Sequence, residues 1–185
     1  MIDLLAASLL ASAGASSWVA CPAEKTDETQ HLLEVCDPVV EGARAYSATF
    51  RASLNPPPAA QQVTIFERDG EWFMHVAGYR WKPGEAVVTR RNDMPISAED
   101  ALALVARLEE AGDRLAQLSY YGAPNVICTD GASFQLASAV GGQHRVFSQH
   151  SCAGKSELHA IAAAFRSLAI KYEPQIEGML YALDD

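Results

Sequence analysis

Positive charge is scarce in this sequence, which has 14 lysine and arginine residues against 23 aspartate and glutamate residues. The net charge of −9 repels phosphate backbones and anionic lipid headgroups. The one adjacent basic pair, Arg90-Arg91, is too short to form a basic patch. Nucleic-acid binding and electrostatic docking to a membrane are therefore not expected.

Known catalytic signatures are also missing. The chain has no Gly-x-Ser-x-Gly nucleophile motif, no His-Glu-x-x-His motif, no phosphate-binding loop and no dinucleotide-binding fingerprint. Its cysteines form no Cys-x-x-Cys pair and its histidines are scattered, so their spacing does not predict a zinc site. We assign no catalytic, cofactor-binding or metal-binding residue from the sequence, and a non-enzyme is favoured over an enzyme.

Long apolar runs are scarce as well, and the strongest lies in residues 1–20, where Asp3 is the only charge. It is too short and too rich in serine and glycine to predict a membrane span. Ile2 to Leu10 instead resembles the hydrophobic region of a secretory signal peptide, followed by a small-residue cleavage site at Ala11-Ser12-Ala13 or Ala13-Gly14-Ala15. We interpret residues 1–20 as a signal peptide and residues 21–185 as a single domain.

Two alternatives to this interpretation stay open. The segment carries no basic residue at its start, so it could instead be a structural N-terminal helix. Trp18-Val19-Ala20-Cys21 resembles a bacterial lipobox, although Trp18 stands where an aliphatic residue belongs. The predicted location is periplasmic or secreted, with lipid anchoring through Cys21 as the alternative.

The chain has four cysteines, and an even number behind an export-like N-terminus favours disulfides. Proximity in sequence pairs Cys21 with Cys36 and Cys128 with Cys152, although three connectivities are open. Loop closure makes each bridge worth about 3 kcal/mol. In a plain meander the second pair would lie about 10 Å apart, so Cys152 must lie past its strand end or the strand order is different. In a cytosolic chain all four thiols would be small buried hydrophobes.

Residues 125–172 show a strand-strand-strand-helix pattern. An apolar run at Val126 to Cys128 leads to an Asp-Gly turn, an alternating strand up to Val140, a Gly-Gly turn and a third strand from Arg145 to Ser151. Ser156 is placed to cap a following helix. The apolar stripe of this helix recurs at three- and four-residue spacing and comprises Leu158, Ile161, Ala162, Phe165, Leu168, Ala169 and Tyr172.

Residues 62–111 show the same order of parts. Three strands are separated by turns at Asp69-Gly70 and Lys82-Pro83-Gly84. Ser97 is placed to cap the helix, with Asp100 at the capping-box position. Its apolar stripe comprises Ala101, Leu104, Val105, Leu108, Ala111 and Leu115. We interpret the two segments as a duplicated βββα unit; the alternative is chance, since any hairpin-rich α+β chain contains such turns and caps.

The predicted fold is α+β, an antiparallel sheet of about six or seven strands with the two amphipathic helices on one face. A further strand starts at Ala45, where Tyr46, Ala48 and Phe50 alternate with Ser47 and Thr49. This alternation predicts one buried and one solvated face.

Aromatic residues cluster around Arg80 and Lys82, which is typical of a surface that binds a protein or a glycan. The alternative is that these rings cover the sheet where the helices do not reach. The predicted binding surface comprises Trp72, Tyr79, Trp81, Tyr120 and Tyr121.

The favoured function is that of an exported, disulfide-bonded binding or inhibitor-type module of a bacterial envelope, with another protein as its partner, no cofactor and an oligomeric state that the sequence leaves open. The alternative is a small hydrolase of unrecognised type. It would use His150 with Ser148 or Ser151, because His144, Ser148 and His150 share one face of a strand. No orienting partner for such a site is evident from the sequence.

Overall fold

The structure is a computed structural model, and it describes residues 18–22, 35–37, 40, 44–52, 60–82, 85–118, 131–154 and 156–174. These residues form one antiparallel sheet of seven strands together with two α-helices. The predicted α+β class with a single antiparallel sheet is therefore confirmed. The elements are β1 (Val19–Ala20), β2 (Ala45–Ala52), β3 (Ala60–Arg68), β4 (Glu71–Lys82), β5 (Glu85–Ile96), α1 (Ala98–Leu118), β6 (Ala132–Val140), β7 (Gln143–His150), a short 3-10 helix (Ser151–Ala153) and α2 (Glu157–Tyr172).

The strand order is β1-β7-β6-β2-β3-β4-β5. The segment β3 to α1 has the predicted three strands and helix in sequence order. In the second segment β6 is paired by β7 on one edge and by β2 on the other, so this part of the sheet is not a meander of consecutive strands. The strand predicted at residues 126–128 lies outside the described residues, and the duplication stays a hypothesis.

Two predicted hairpin turns adopt backbone conformations that favour glycine. Asp69 and Gly70, between β3 and β4, have φ of 53° and 81°. Gly141 and Gly142, between β6 and β7, have φ of 59° and 75°. Positive φ at both central residues matches the right-handed twist of the flanking strands, which is why Asp-Gly and Gly-Gly occur there.

Both helices begin at the predicted caps. The Ser97 hydroxyl accepts a hydrogen bond from the Asp100 amide at 3.1 Å, and α1 starts at the next residue. The Ser156 hydroxyl accepts from the His159 amide at 3.2 Å at the start of α2. Each serine satisfies an amide that has no partner within the helix.

The main core joins both helices to the sheet. The stripe residues predicted for α1 are all buried, and those of α2 are buried except for Tyr172, which is partly buried. They belong to the same cluster as alternate residues of the strands, among them Tyr46, Ala48, Phe50, Val63, Ile65, Trp72, Met74, Phe134, Leu136 and Phe147. This burial of apolar surface is the main stabilising contribution to the fold.

The other face of β2 is buried as well, which contradicts the predicted solvated face. Ser47 is 3% exposed and Thr49 is 4% exposed. A second cluster covers part of this face and brings residues from before β2 against it; it comprises Val35, Val40, Ala45, Phe66, Ala137 and Ala139, with Cys21, Cys36 and Phe73 partly buried beside them. The prediction was wrong because alternation shows which side chains share a face and not what covers that face.

A pair of leucines on α1 tests the core. Leu108 is fully buried and Leu102 is 43% exposed. We expect Leu108→Ala to lower the free energy of unfolding by about 3 kcal/mol, through lost apolar burial and the cavity left behind. Leu102→Ala, the same change on the same helix, should alter it by no more than about 0.5 kcal/mol. Urea denaturation of both variants measures these values, and similar values for the two would contradict the placement of α1.

Candidate functional site

Trp72, predicted to belong to an exposed binding surface, is 4% exposed. It pairs with Ile96 in the sheet and stacks on Tyr46 with ring centroids 6.4 Å apart, while the Arg44 guanidinium lies 5.3 Å from its ring centre. The prediction for Trp72 was therefore wrong, because its strand turns this side chain into the helix-bearing core. The side chains of Tyr79 and Trp81, and residues 120–121, lie outside the described part of the chain.

Two residues of the hydrolase hypothesis, His150 and Ser151, are engaged with the backbone. His150 Nδ1 accepts a hydrogen bond from the Cys152 amide at 3.3 Å, and the Ser151 hydroxyl accepts from the Ala132 amide at 3.0 Å. A side chain at Gly131 would collide with both His150 and Ser151, so this corner is closely packed. An imidazole nitrogen that accepts an amide proton is not available as a base, and the arrangement favours a structural role.

Three of the four cysteines are described, two near the start of the described chain and one towards its end. Cys21 and Cys36 form a disulfide with Cα atoms 5.4 Å apart, the pair that sequence proximity suggests. Cys152 is also disulfide-bonded and lies in the 3-10 helix beyond the end of β7. The partner predicted for it, Cys128, lies outside the described residues.

The sequence pattern did not indicate one buried polar contact, between His75 and Asp93. His75 is 1% exposed, and its Nδ1 hydrogen-bonds to Asp93 Oδ1 on the neighbouring strand. The two residues are direct register partners in the β4–β5 hairpin, which the sequence could have indicated had the bulge between Gly78 and Tyr79 been recognised. Since the imidazole is closed off from solvent, we interpret the pair as structural.

An open groove of about 470 Å³ lies between α1 and α2. Alanines dominate its walls, and several of them are exposed or half-buried. The lining residues are Asp100, Ala103, Leu104, Arg107, Ala160, Ala163, Ala164, Ser167, Leu168 and Lys171. Small side chains on two neighbouring helices leave room for another chain to approach their backbones closely.

Two ion pairs join α1 to α2, one at each end of the two helices. At one end Lys171 Nζ contacts both carboxylate oxygens of Asp100 at 2.7 Å, and the Tyr172 hydroxyl donates to the same carboxylate at 2.7 Å. At the other end Arg114 donates two hydrogen bonds to Glu157, at 3.0 and 2.7 Å. The start of α1 therefore meets the end of α2, so the helices run antiparallel at a spacing fixed from both ends.

The charged residues at the ends of the groove are paired with each other, whereas the one near its middle is not paired with any described residue. Hydrogen bonds from Lys171, Tyr172 and Ser97 lower the pKa of Asp100 to about 2, and the same contact with Asp100 raises the pKa of Lys171. At the opposite end the hydrogen bond from Arg114 lowers the pKa of Glu157. Arg107, exposed near the middle, forms no ion pair with any residue the structure describes. The groove thus presents an available cation between two neutralised ends.

A smaller cavity, of about 150 Å³, lies between the Cys21–Cys36 disulfide and the sheet. Its lining residues are Pro22, Val35, Cys36, Ser47, Thr49, Gln62, Gln135, Ala137, His144 and Val146. Gln62 is 2% exposed, and its Nε2 donates to Thr49 Oγ1 at 3.2 Å. Gln62 Oε1 has no hydrogen-bond partner among the described residues, so the walls of this cavity are polar and incompletely satisfied.

Among the described residues, one group of side chains has the spacing of a metal site. The sulfurs of Cys21 and Cys36 and a ring nitrogen of His144 all lie within 4.8 Å of one another. The two sulfurs are bonded to each other, and a disulfide offers no thiolate to a metal. In this oxidised state the group is a disulfide beside an imidazole.

A scan against protein-family models and a search of curated proteins each found no match to this chain. The class of the protein therefore rests on its own features: a disulfide-bonded α+β fold with an alanine-lined groove and a small polar cavity. No helix within the described ranges is long and apolar enough to cross a membrane.

The contacts of Asp100 predict how stability depends on pH. The folded protein holds its pKa at about 2, below the ordinary value of 3.8, so its stabilising contribution is present above about pH 4 and is lost as the pH falls through about 2. We expect the melting temperature of the wild type to exceed that of Asp100→Asn above pH 4, and the difference to disappear near pH 2. Asp113→Asn, an exposed change on the same helix, is the control and should show no such convergence; a constant difference for Asp100→Asn would contradict the assignment.

Proposed function

We propose that the protein is an exported, disulfide-bonded binding module of a bacterial envelope that acts by masking another protein, in the manner of an inhibitor or immunity protein. The observation that carries this proposal is the groove between α1 and α2, open to solvent and lined by alanines. The partner we propose is an amphipathic helix that presents small apolar side chains and a carboxylate facing Arg107.

The groove suits such a partner in shape. Ala103 and Ala160 are exposed on facing walls, and side chains of this size let the backbone of a third helix come close. Binding of an amphipathic helix in an apolar groove is a recurring mode of protein recognition. The ion pairs Asp100–Lys171 and Arg114–Glu157 join the two helices before a partner arrives, which reduces the ordering cost of association.

The charged residues of the groove favour a partner with a carboxylate at one position. Arg107 is the cation between the neutralised ends of the groove, so a carboxylate placed opposite it would gain an ion pair without competing with an existing one. On a chain with net charge −9, this local cation also favours an acidic partner segment at the groove over the rest of the surface.

Export is supported by the disulfides. Cys21 is bonded to Cys36 and Cys152 is also oxidised, and such bonds persist in oxidising compartments such as the periplasm. The sulfur of Cys21 is engaged by Cys36 and so is not available for a thioether-linked lipid. We therefore favour a periplasmic or secreted protein over a lipid-anchored one.

Affinity capture from envelope extract tests the groove. Ala103→Glu places bulk and a negative charge in the groove beside Arg107, whereas Ala106→Glu makes the same change at an exposed alanine of the same helix that does not line it. We expect a partner that the wild type and Ala106→Glu capture equally and that Ala103→Glu captures at least about tenfold less, corresponding to a loss of about 1.4 kcal/mol. Unfolding curves of the three proteins verify that each is folded. A partner captured equally by all three, or no partner in repeated captures, would overturn the proposal.

The mature N-terminus and thiol state test export. Because β1 pairs with β7, we expect protein recovered from the envelope of its native host to begin just after the small-residue segment at residues 11–15, and not at residue 21, the boundary interpreted from the sequence. We also expect it to show no alkylated cysteine when it is alkylated without reduction. Mass spectrometry measures both. An intact Met1 together with four alkylated cysteines would place the protein in a reducing compartment and contradict this part of the proposal.

A further inference from the structure

The Cys21–Cys36 disulfide lies beside a histidine from the opposite end of the chain. A ring nitrogen of His144 is within 4.8 Å of both sulfurs. Both cysteines are partly buried rather than enclosed, and Cys36 borders the 150 Å³ polar cavity. A structural disulfide needs neither an adjacent imidazole nor a cavity at one of its sulfurs, so this arrangement calls for a chemical explanation.

Strand pairing holds the three side chains together. Val19 of β1 is the register partner of His144 on β7, and the Val19 carbonyl contacts His144 Nδ1 at 3.2 Å. The Cys21 amide donates to the Gly142 carbonyl at 3.0 Å in the turn that begins β7. The imidazole and the disulfide are therefore fixed relative to each other by backbone contacts on both sides of the turn.

We propose that Cys21–Cys36 is a thiol-exchange site in which His144 donates the proton. The thiolate of an incoming thiol, of the glutathione class or of a dithiol oxidoreductase, attacks the Cys36 sulfur. A bond forms between the incoming sulfur and Cys36, the Cys21–Cys36 bond breaks, and its electron pair leaves on the Cys21 sulfur. The His144 imidazolium transfers its proton to that sulfur, giving a Cys21 thiol and a neutral imidazole.

A dithiol completes the reduction. Its second thiolate attacks the mixed disulfide, releases Cys36 as a thiolate that takes a proton from water, and leaves as an intramolecular disulfide. Overall two electrons pass from the dithiol to Cys21 and Cys36, whose protons come from His144 and water, and the dithiol gives up its own two protons to the solvent. Departure of a sulfur is faster when its negative charge is neutralised, which is the contribution of the imidazolium.

Cys36 is the sulfur under attack because it lies on the cavity. It lines the cavity together with Ser47, Thr49, Gln62 and Gln135, and the volume of about 150 Å³ admits the thiol end of an incoming molecule and not a whole tripeptide. Cys21 does not line this cavity and is held by its own amide at the turn before β7. The geometry thus makes Cys36 the entry point and Cys21 the leaving group.

The charged groups around the imidazole are few among the described residues. Opposite His144 the neighbouring strands present Val19 and Ala139, which carry no charge. Asp37 follows Cys36 in the segment beside the cavity and is buried. The guanidinium of Arg145 is stacked over the rings of Trp18 and Phe147. Among these groups, His144 is the one that the structure places within 4.8 Å of both sulfurs.

Reduction by dithiothreitol tests the proposal in the full chain. The rate for each disulfide is measured by acid quench, alkylation and mass spectrometry, and is divided by the thiolate concentration of the reductant at each pH. We expect the rate for Cys21–Cys36 to rise as the pH is lowered, because an imidazole donates a proton to a leaving sulfur only in its protonated form. In His144→Gln, whose amide can still donate to the Val19 carbonyl, the rate should lose this rise and be roughly tenfold lower at pH 6.

Two controls separate proton donation from a general loosening of structure. The disulfide of Cys152 in the same molecule is an internal reference, and His144→Gln should leave its rate unchanged. His150→Gln removes another half-buried histidine of β7 and should leave the rate for Cys21–Cys36 unchanged. Should His144→Gln fail to fold, the pH profiles of the two disulfides are compared in His150→Gln, where the imidazole beside Cys152 has been removed; a rise at low pH for Cys21–Cys36 alone supports the proposal, and the same rise for both overturns it.

Glutathione has a single thiol, so its reaction stops at the mixed disulfide with the protein. We expect the mixed disulfide on Cys36, identified by peptide mapping after acid quench. An adduct mainly on Cys21 would overturn the assigned direction of attack. A rate in His144→Gln within twofold of the wild type at every pH, or equal slowing of both disulfides, would overturn the role of His144.

Discussion

Strand β2 is paired on both edges and buried on both faces, and the rest of the structure depends on this double burial. Tyr46, Ala48 and Phe50 enter the core that the two helices share, while Ala45 belongs to the cluster on the opposite face. A strand in the middle of a sheet with cover on both sides leaves little freedom for register slippage, because a shift of one residue would exchange its apolar and polar sets. The strand thus anchors the hairpins on either side of it.

The groove and the polar cavity depend on β2 in different ways. The groove between α1 and α2 depends on it indirectly, through the core that seats the helices, and its end contacts are partly exposed ion pairs that contribute little to stability. Their effect is to set the distance between the helices. The polar cavity depends on β2 directly, since Ser47 and Thr49 form part of its wall. The proposed binding groove and the proposed thiol-exchange cavity therefore have no lining residue in common.

The sequence predicted the local features of the fold well. The caps at Ser97 and Ser156, the hairpin turns at Asp69-Gly70 and Gly141-Gly142, and the apolar stripes of both helices are where the pattern placed them, because each depends on residues within a few positions of one another. The pairing of β6 with β2 was not foreseen, since it joins residues that are 80 to 94 positions apart. Trp72 was misplaced for a related reason, because the pattern separated it from Phe73 but did not say which of the two faces the helices cover.

For the candidate sites, too, some features follow from the sequence and others from the tertiary structure alone. The sequence by itself determined that this chain would be an α+β protein with capped amphipathic helices, that Cys21 and Cys36 are close enough in the chain to pair, and that familiar catalytic motifs are missing, because composition and short-range spacing carry that information. Only the tertiary structure decided that His144 lies beside the disulfide, that the walls of the groove stand face to face, and that Gln62 is buried with an unsatisfied oxygen. These contacts arise from strand order and helix packing, which depend on how surfaces distant in sequence fit together.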